Sequence, residues 1–248
     1  MSDRMRISLM RRWTRIGVLF NTAPAVEGVD LESLVLDTAA LARSDERLFV
    51  MAASWLAAHH HLLDARRLGR RLTGTDVDAE TSAVAGAMLS LARTGVTGST
   101  ALDAAIRHCQ PLRTRAPLFP QLEAHPGLLA LVKKEALPLF RAWGFWHNDA
   151  TLKLNAIRPA TWIVRNCPEL RVRALLGAGL DAEIVELLLE APRTAADLAA
   201  ATETTYAAVH AAVTRLLGRG VLVHVRGETR GRARPLAANA ELLTAIAA

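Results

Sequence analysis

His59-His60-His61 is the first run in this chain whose residue type suggests chemistry. Imidazoles ligate zinc and related metals, from spacings that let two or more nitrogens converge. Consecutive residues on a helix point about 100° apart, so three adjacent rings do not share one tetrahedral ion unaided. An HExxH spacing is absent, and the run reads as a packed or solvated helix end. Cys109 and Cys167 lie far apart without CxxC spacing, which fits neither a zinc site nor a disulfide framework. No glycine-rich phosphate loop, GxSxG elbow or Cys/His nucleophile arrangement occurs. Trp143, Phe145, Trp146 and Trp162 are expected to form a hydrophobic junction, with an effector pocket as the sharper reading. His147-Asn148-Asp149 after them reads as a turn. No catalytic residue, metal or cofactor is therefore expected, and the chain is not read as an enzyme.

The concentrated chemistry that remains is cationic. Six arginines (Arg215, Arg219, Arg226, Arg230, Arg232 and Arg234) stand between Arg215 and Arg234, against one acid, Glu228. A guanidinium presents a planar fork of donors that matches phosphate and guanine. Arg230, Arg232 and Arg234 are spaced by two, so an extended strand projects them to one side, as a phosphate track or a minor groove requires. The whole chain carries 30 basic and 24 acidic residues, a formal net charge of +6, and its only lysines are Lys133, Lys134 and Lys153. That balance fits a polyanionic partner without identifying it.

Helices must hold these side chains. Hydrophobic residues make up 51% of the 248, aromatic ones only 4%, and alanine and leucine dominate, a composition that favours helix over strand. The length allows one large core or two modest ones. No apolar run approaches the roughly 18 residues of a membrane span, and the arginine-flanked N-terminus lacks a signal-peptide core. Unpaired cysteines suit a reducing compartment. A cytoplasmic protein is expected, with no membrane partner.

Four stretches separate along the chain. Met1 to about Gly28 is basic and amphipathic, read as a solvated helix or arm, or as an arm on the DNA backbone. From Val29 to about Gly98, Leu31, Leu34, Val35 and Thr38 keep a helical period, as do Leu48, Ala52, Trp55 and Leu56. Asp64 is placed to cap a helix through Leu72, and a further helix spans about Asp78 to Arg93. Ser99 to Asn166 is proline-rich, with a helix expected around Gly127 to Trp143 that Pro138 kinks or ends. Thr151 to Asn155 reads as a short extended piece. The expected domains are 1–98, 99–170 and 171–248.

The last stretch is the most regular. Asp181 to Ala191 is a strongly apolar helix, and Thr194 with Asp197 suits the start of a short helix, Ala195 to Ala201, that buries Leu198. A turn, Thr202-Glu203-Thr204-Thr205, leads to a longer helix through Leu217, ended by Gly218 and Gly220. Val209, Val213 and Leu216 form its buried stripe, while Tyr206, His210, Thr214 and Arg215 lie opposite. Val221 to Arg226 alternates as a strand, Gly227 to Gly231 turns, and Arg232 to Ala237 returns as a second strand. Helix, short helix, turn, long helix and hairpin is the order of a winged helix-turn-helix. Most closely in the run Arg215-Leu216-Leu217-Gly218-Arg219-Gly220-Val221-Leu222, the segment resembles bacterial MarR/ArsR-type DNA-binding domains. Asn155 to Trp162 and Pro168 to Arg171 also resemble an approach segment of bacterial winged-helix proteins encoded beside nucleotidyltransferases, which implies autoregulation of a toxin–antitoxin or defence-type operon.

The fold class expected is thus mainly α: helical N-terminal and middle regions, then a winged helix-turn-helix of three helices plus a β-hairpin wing. The function expected is a DNA-binding transcriptional regulator, dimeric because paired half-sites raise affinity and specificity. Its double-stranded DNA contacts would come from Thr204, Thr205, Tyr206, His210, Thr214, Arg215, Arg226, Arg230, Arg232 and Arg234. Ala207, Ala208 and Ala211 bring no hydrogen-bonding groups, and Glu203 adds a negative charge where a glycine is common. An alternative is therefore a helix-turn-helix-based protein-interaction or antitoxin-like module with only non-specific DNA affinity. Glu80-Thr81-Ser82 and Leu91 to Val96 echo the grammar of the C-terminal segment, so a degenerate second helix-turn-helix within 29–98 stands beside a generic helical hairpin.

Overall fold

The computed structural model describes residues 3–225, 234–239 and 241–242. Its first helix, α1 (Asp3–Arg15), is followed by four whose starts aspartates fix. Asp30 accepts from the Ser33 amide to begin α2 (Leu31–Leu41), and Asp45 from Leu48 to begin α3 (Glu46–His59). Asp64 accepts from Arg66 and Arg67 at α4 (Ala65–Leu72), and Asp78 from Thr81 at α5 (Ala79–Thr94). Ser99 does the same for α6 (Thr100–Ile106) through Leu102. Each cap satisfies an amide that has no partner inside the helix, worth about 1 kcal/mol. Then come β1 (Ala116–Pro117), α7 (Pro126–Glu135), α8 (Pro138–Arg141), β2 (Phe145–Trp146) and α9 (Ala160–Asn166). They complete the first of two compact units, Met1–Cys167. The second, Pro168–Ala248, holds α10 (Pro168–Leu176), α11 (Leu180–Glu190), α12 (Ala195–Ala201), α13 (Tyr206–Gly218), β3 (Leu222–His224) and β4 (Leu236–Ala238). The architecture is mainly α.

In the first unit α5 is the centre. Every residue from Thr81 to Leu89 is buried, so the helix is covered all round, chiefly by α2 and α3. Its small residues let neighbours come close. At Gly86 the ring of Trp143 fills the space a side chain would take, and the Trp143 indole donates to Ser90 Oγ at 2.8 Å. Trp13 of α1 is fully buried, donates to Thr38 Oγ1 at 2.8 Å, and meets Trp55 edge-on at 5.7 Å. Trp55 in turn donates to the Ile16 carbonyl. A buried indole with a satisfied N–H contributes large apolar area at no polar cost.

β1 and β2 pair in parallel, Ala116 with Phe145 and Pro117 with Trp146. This small ladder sets Phe119 beside His147, whose rings meet edge-on at 5.1 Å. In the second unit α11, α12 and α13 enclose a core of Ile184, Val185, Leu188, Leu198, Val209, Val213 and Leu216. Arg173 of α10, 5% exposed, reaches Glu186 of α11 at 2.8 Å. Leu236 of β4 pairs with His224 of β3 on one side and with Arg193 on the other.

Several expectations change. The basic N-terminal segment is the helix of the two readings, but packed instead of simply solvated: α1 buries Leu9 and Trp13, while Arg12 and Arg6 pair with Asp37 and Asp45. Thr151 to Asn155 is not extended. Asp149 takes the Thr151 amide and Ser54 takes the Lys153 amide, and Leu154–Ala156 is a 3-10 turn. Within 29–98, α5, the helix placed like α13 in the C-terminal segment, is buried on all sides and is followed by α6. Glu80, Thr81 and Ser82 lie within the first turn of α5 rather than before it. The stretch divided at residue 98 belongs to one unit, and the unit boundary falls at Cys167. The break expected at Pro138 is present: α7 ends at Glu135 and Pro138 begins α8, since proline suits only a first helical turn.

Two outcomes follow from this packing, and tryptophan fluorescence reads both, because all five tryptophans lie in the first unit. Gly86→Ala places a methyl 2.5 Å from the Trp143 ring; overpacking of this kind lowers stability by about 1–3 kcal/mol in urea titration. Burial also holds the His59 and His147 imidazoles below the ordinary 6.5. The unfolded chain then binds more protons than the folded one below that value. The unit keeps this contribution above pH 6.5 and loses it as pH falls through the lowered values. Urea midpoints should drop accordingly between neutral pH and about pH 5, less steeply in His147→Phe.

Candidate nucleic-acid interface

α13 owes its orientation to one stripe. Val209, Ala212, Val213 and Leu216 are buried against α11 and α12, which turns Tyr206, His210 and Thr214 outward at positions i, i+4 and i+8. Tyr206 is 57% exposed and its ring lies 6.0 Å from that of His210, at 34°. Ala207 and Ala211 share the exposed surface. Together they present a shallow helix face with two aromatic rings and a hydroxyl.

The turn before α13 is built tightly. Thr194 and Asp197 form a reciprocal capping box at the start of α12. At its end the Glu203 amide bonds the Ala200 carbonyl and the Thr204 amide the Ala199 carbonyl, the paired bonds of a Schellman motif. Glu203 occupies the left-handed position of that motif, with φ 49°, where glycine is favoured. Thr202 is fully buried and donates to Leu198 O; Thr204 donates to Thr202 O. Thr205 caps α13 by accepting from the Ala208 amide. The hydroxyls of Thr204 and Thr205 thus serve the turn itself.

A second Schellman motif ends α13. The Gly220 amide bonds Leu217 O and the Val221 amide bonds Leu216 O. Gly220 carries the positive φ, 71°, so the helix runs through Gly218 instead of stopping there. The chain turns directly into β3, narrower than expected at Leu222–His224. β4 begins only at Leu236, because Pro235 has no amide to donate, although its carbonyl accepts from Val225.

The arginines divide. Arg219 and Arg234 are exposed. Arg215, half exposed, pairs with Asp181 of α11 at 2.7 Å, so it braces two helices instead of pointing clear of the protein. A pair this exposed contributes under about 1 kcal/mol. Arg226, Arg230 and Arg232 lie outside the described residues.

The remaining sequence candidates are structural. His59 is buried and donates from Nε2 to Arg158 O at 2.9 Å, while His60 Nδ1 meets Ser99 Oγ at 3.0 Å. Among the described residues no three His, Cys, Asp or Glu side chains group to hold a metal ion. Cys109 and Cys167 are buried and form no disulfide with each other, the Cys167 thiol donates to the Arg15 carbonyl, and burial pushes Cys109 up to about 12. Trp143 and Phe145 are buried junction residues; Trp146 lies under Lys133 and Trp162 under Arg158. His147, read as part of a turn, is instead a buried side chain at a cavity wall. Its place follows from the β1–β2 pairing, which leaves no local signal in the sequence.

Comparison with known protein families, curated proteins and solved structures finds no match to this chain. Among the described residues no helix is long and apolar enough to cross a membrane.

Glu203→Gly removes the left-handed strain at the turn. The expected gain is about 0.5–1 kcal/mol after the greater freedom of glycine in the unfolded chain is subtracted. The increase should appear in the urea transition followed by backbone circular dichroism, and its absence would count against a strained turn.

Proposed function

We propose that the C-terminal unit is a winged helix-turn-helix that binds double-stranded DNA, and that the protein is a dimeric transcriptional regulator. One observation carries the reading. α13 buries Val209, Val213 and Leu216 and turns Tyr206, His210 and Thr214 to solvent, directly before a β pair whose connecting segment is rich in arginine. In that reading α13 lies in the major groove, with Tyr206 and His210 against base edges. Arg219 and Arg234, with Arg226, Arg230 and Arg232 from the connecting segment, hold the phosphates. Arg215 orients α13 through Asp181 and contributes to DNA indirectly.

A second reading has its own support. Ala207 and Ala211 leave much of the exposed helix face without donors or acceptors, Arg215 is engaged by an acid, and Glu203 sits at the turn. Such a face suits a protein partner, in an interaction or antitoxin-like module.

Fluorescence anisotropy on duplex DNA across a salt series separates the two. Replacing Arg230 and Arg232 by alanine weakens binding on all sequences, and each lost phosphate contact lowers the slope of log affinity against log salt by about 1. His210→Ala instead relaxes sequence preference, by about 1–3 kcal/mol at the position read. Affinity that none of these changes alters would sink the DNA reading, and a stoichiometric co-purifying protein would favour the second.

A further inference from the structure

The first unit contains a cavity that the DNA reading does not use. It measures about 420 Å³, within the range of small-molecule sites. Phe119, Leu122, Leu128 and Val132 form an apolar wall, and His147 stands among them. Its imidazole is 6% exposed and held edge-on between Phe119 at 5.1 Å and Phe140 at 4.8 Å. The wall is formed late in the chain's path: β1–β2 pairing brings Phe119 to His147, and the Leu137 amide fixes the His147 carbonyl at 2.9 Å. α7 then covers one side, burying Val132 while Leu128 stays 47% exposed at the opening.

Two carboxylates stand at the lining, Glu46 on the first turn of α3 and Asp149 just after His147. Both also line an adjoining depression of about 540 Å³, floored by Val50 and Met51, where Arg47 and Lys153 are the facing cations. Arg47 leans over the Phe20 ring at 5.4 Å. Neither Arg47 nor Lys153 lines the first cavity, although the Lys153 charge also acts on Asp149. The Thr151 hydroxyl and amide bond Asp149 Oδ1 and hold that carboxyl below 3.8, so it remains charged. Burial holds the His147 imidazole below its ordinary range, against the opposing pull of Asp149. The first cavity therefore combines an apolar body with two anionic groups and two hydrogen-bonding imidazoles, His147 and His125.

We propose that this cavity binds a small organic amine, its aromatic or branched aliphatic body against Phe119, Leu128 and Val132 and its cationic nitrogen between Glu46 and Asp149. The site is independent of the C-terminal unit, and its test does not rely on DNA.

Isothermal calorimetry on the full chain compares phenylbutylamine with phenylbutyrate, a pair of like shape and opposite charge. The amine binds saturably at millimolar concentration and the acid does not. Glu46→Gln removes one exposed carboxylate and weakens the amine about tenfold. Leu128→Trp, at an exposed position, fills the opening and abolishes binding while unfolding in urea stays as in the parent. Equal binding of amine and acid overturns the proposal. So does the absence of saturable amine binding, or an affinity that either substitution leaves unchanged.

Discussion

Helices made largely of alanine approach one another closely but bury little area per residue, so their packing depends on the few large side chains that neighbours bring. In the first unit this constraint is concentrated on α5. Ala83, Ala85, Gly86 and Ala87 are all buried, and the helix has no exposed side on which to present a function. Trp13, Trp55, Phe49, Phe140 and Trp143 supply the large buried volume of this unit. Because each indole also satisfies its own N–H, on Thr38, Ile16 and Ser90 respectively for Trp13, Trp55 and Trp143, the aromatic groups fix direction as well as fill space. Truncation of one such ring in a core costs about 3–5 kcal/mol.

The second unit solves the same problem with branched aliphatic residues. Val209, Val213 and Leu216 on α13 meet Ile184, Val185 and Leu188 on α11, and Leu198 closes the group from α12. Once that stripe is buried, the outward face of α13 is determined by the helical period alone. Two Schellman motifs, one with Glu203 and one with Gly220 in the left-handed position, set where the helix begins and where β3 leaves it. The first is strained and the second is not. Arg173 with Glu186 adds a nearly buried ion pair between α10 and α11; loss of one member of such a pair is more costly than the pair is stabilising.

Local signals made much of this readable from the residues. Asp64, Asp78 and Thr194 mark helix starts because the capping side chain acts within three residues of itself. The stripe of α13 was equally legible from its spacing. Features that depend on distant partners were not. Nothing near Thr151 announces that Ser54 will take the Lys153 amide. The burial of α5 on all sides depends on which helices surround it, and alanine gives no sense of a face. Arg215 read as a free cation because Asp181 lies 34 positions away. The cavity beside His147 was illegible for the same reason, since it is assembled by a two-residue parallel pairing across the proline-rich middle region.

Both native thiols are withdrawn from solvent, and Cys109 ionises only near 12. Alkylation requires an accessible thiolate, so the burial of both thiols makes the folded protein a slow-reacting background for maleimide labelling. A single cysteine introduced on the outer face of α13, at Ala207 or Ala211, would carry a spin or fluorescent tag without removal of either natural one. The chain's own chemistry thus leaves its most informative surface open to spectroscopic distance measurement.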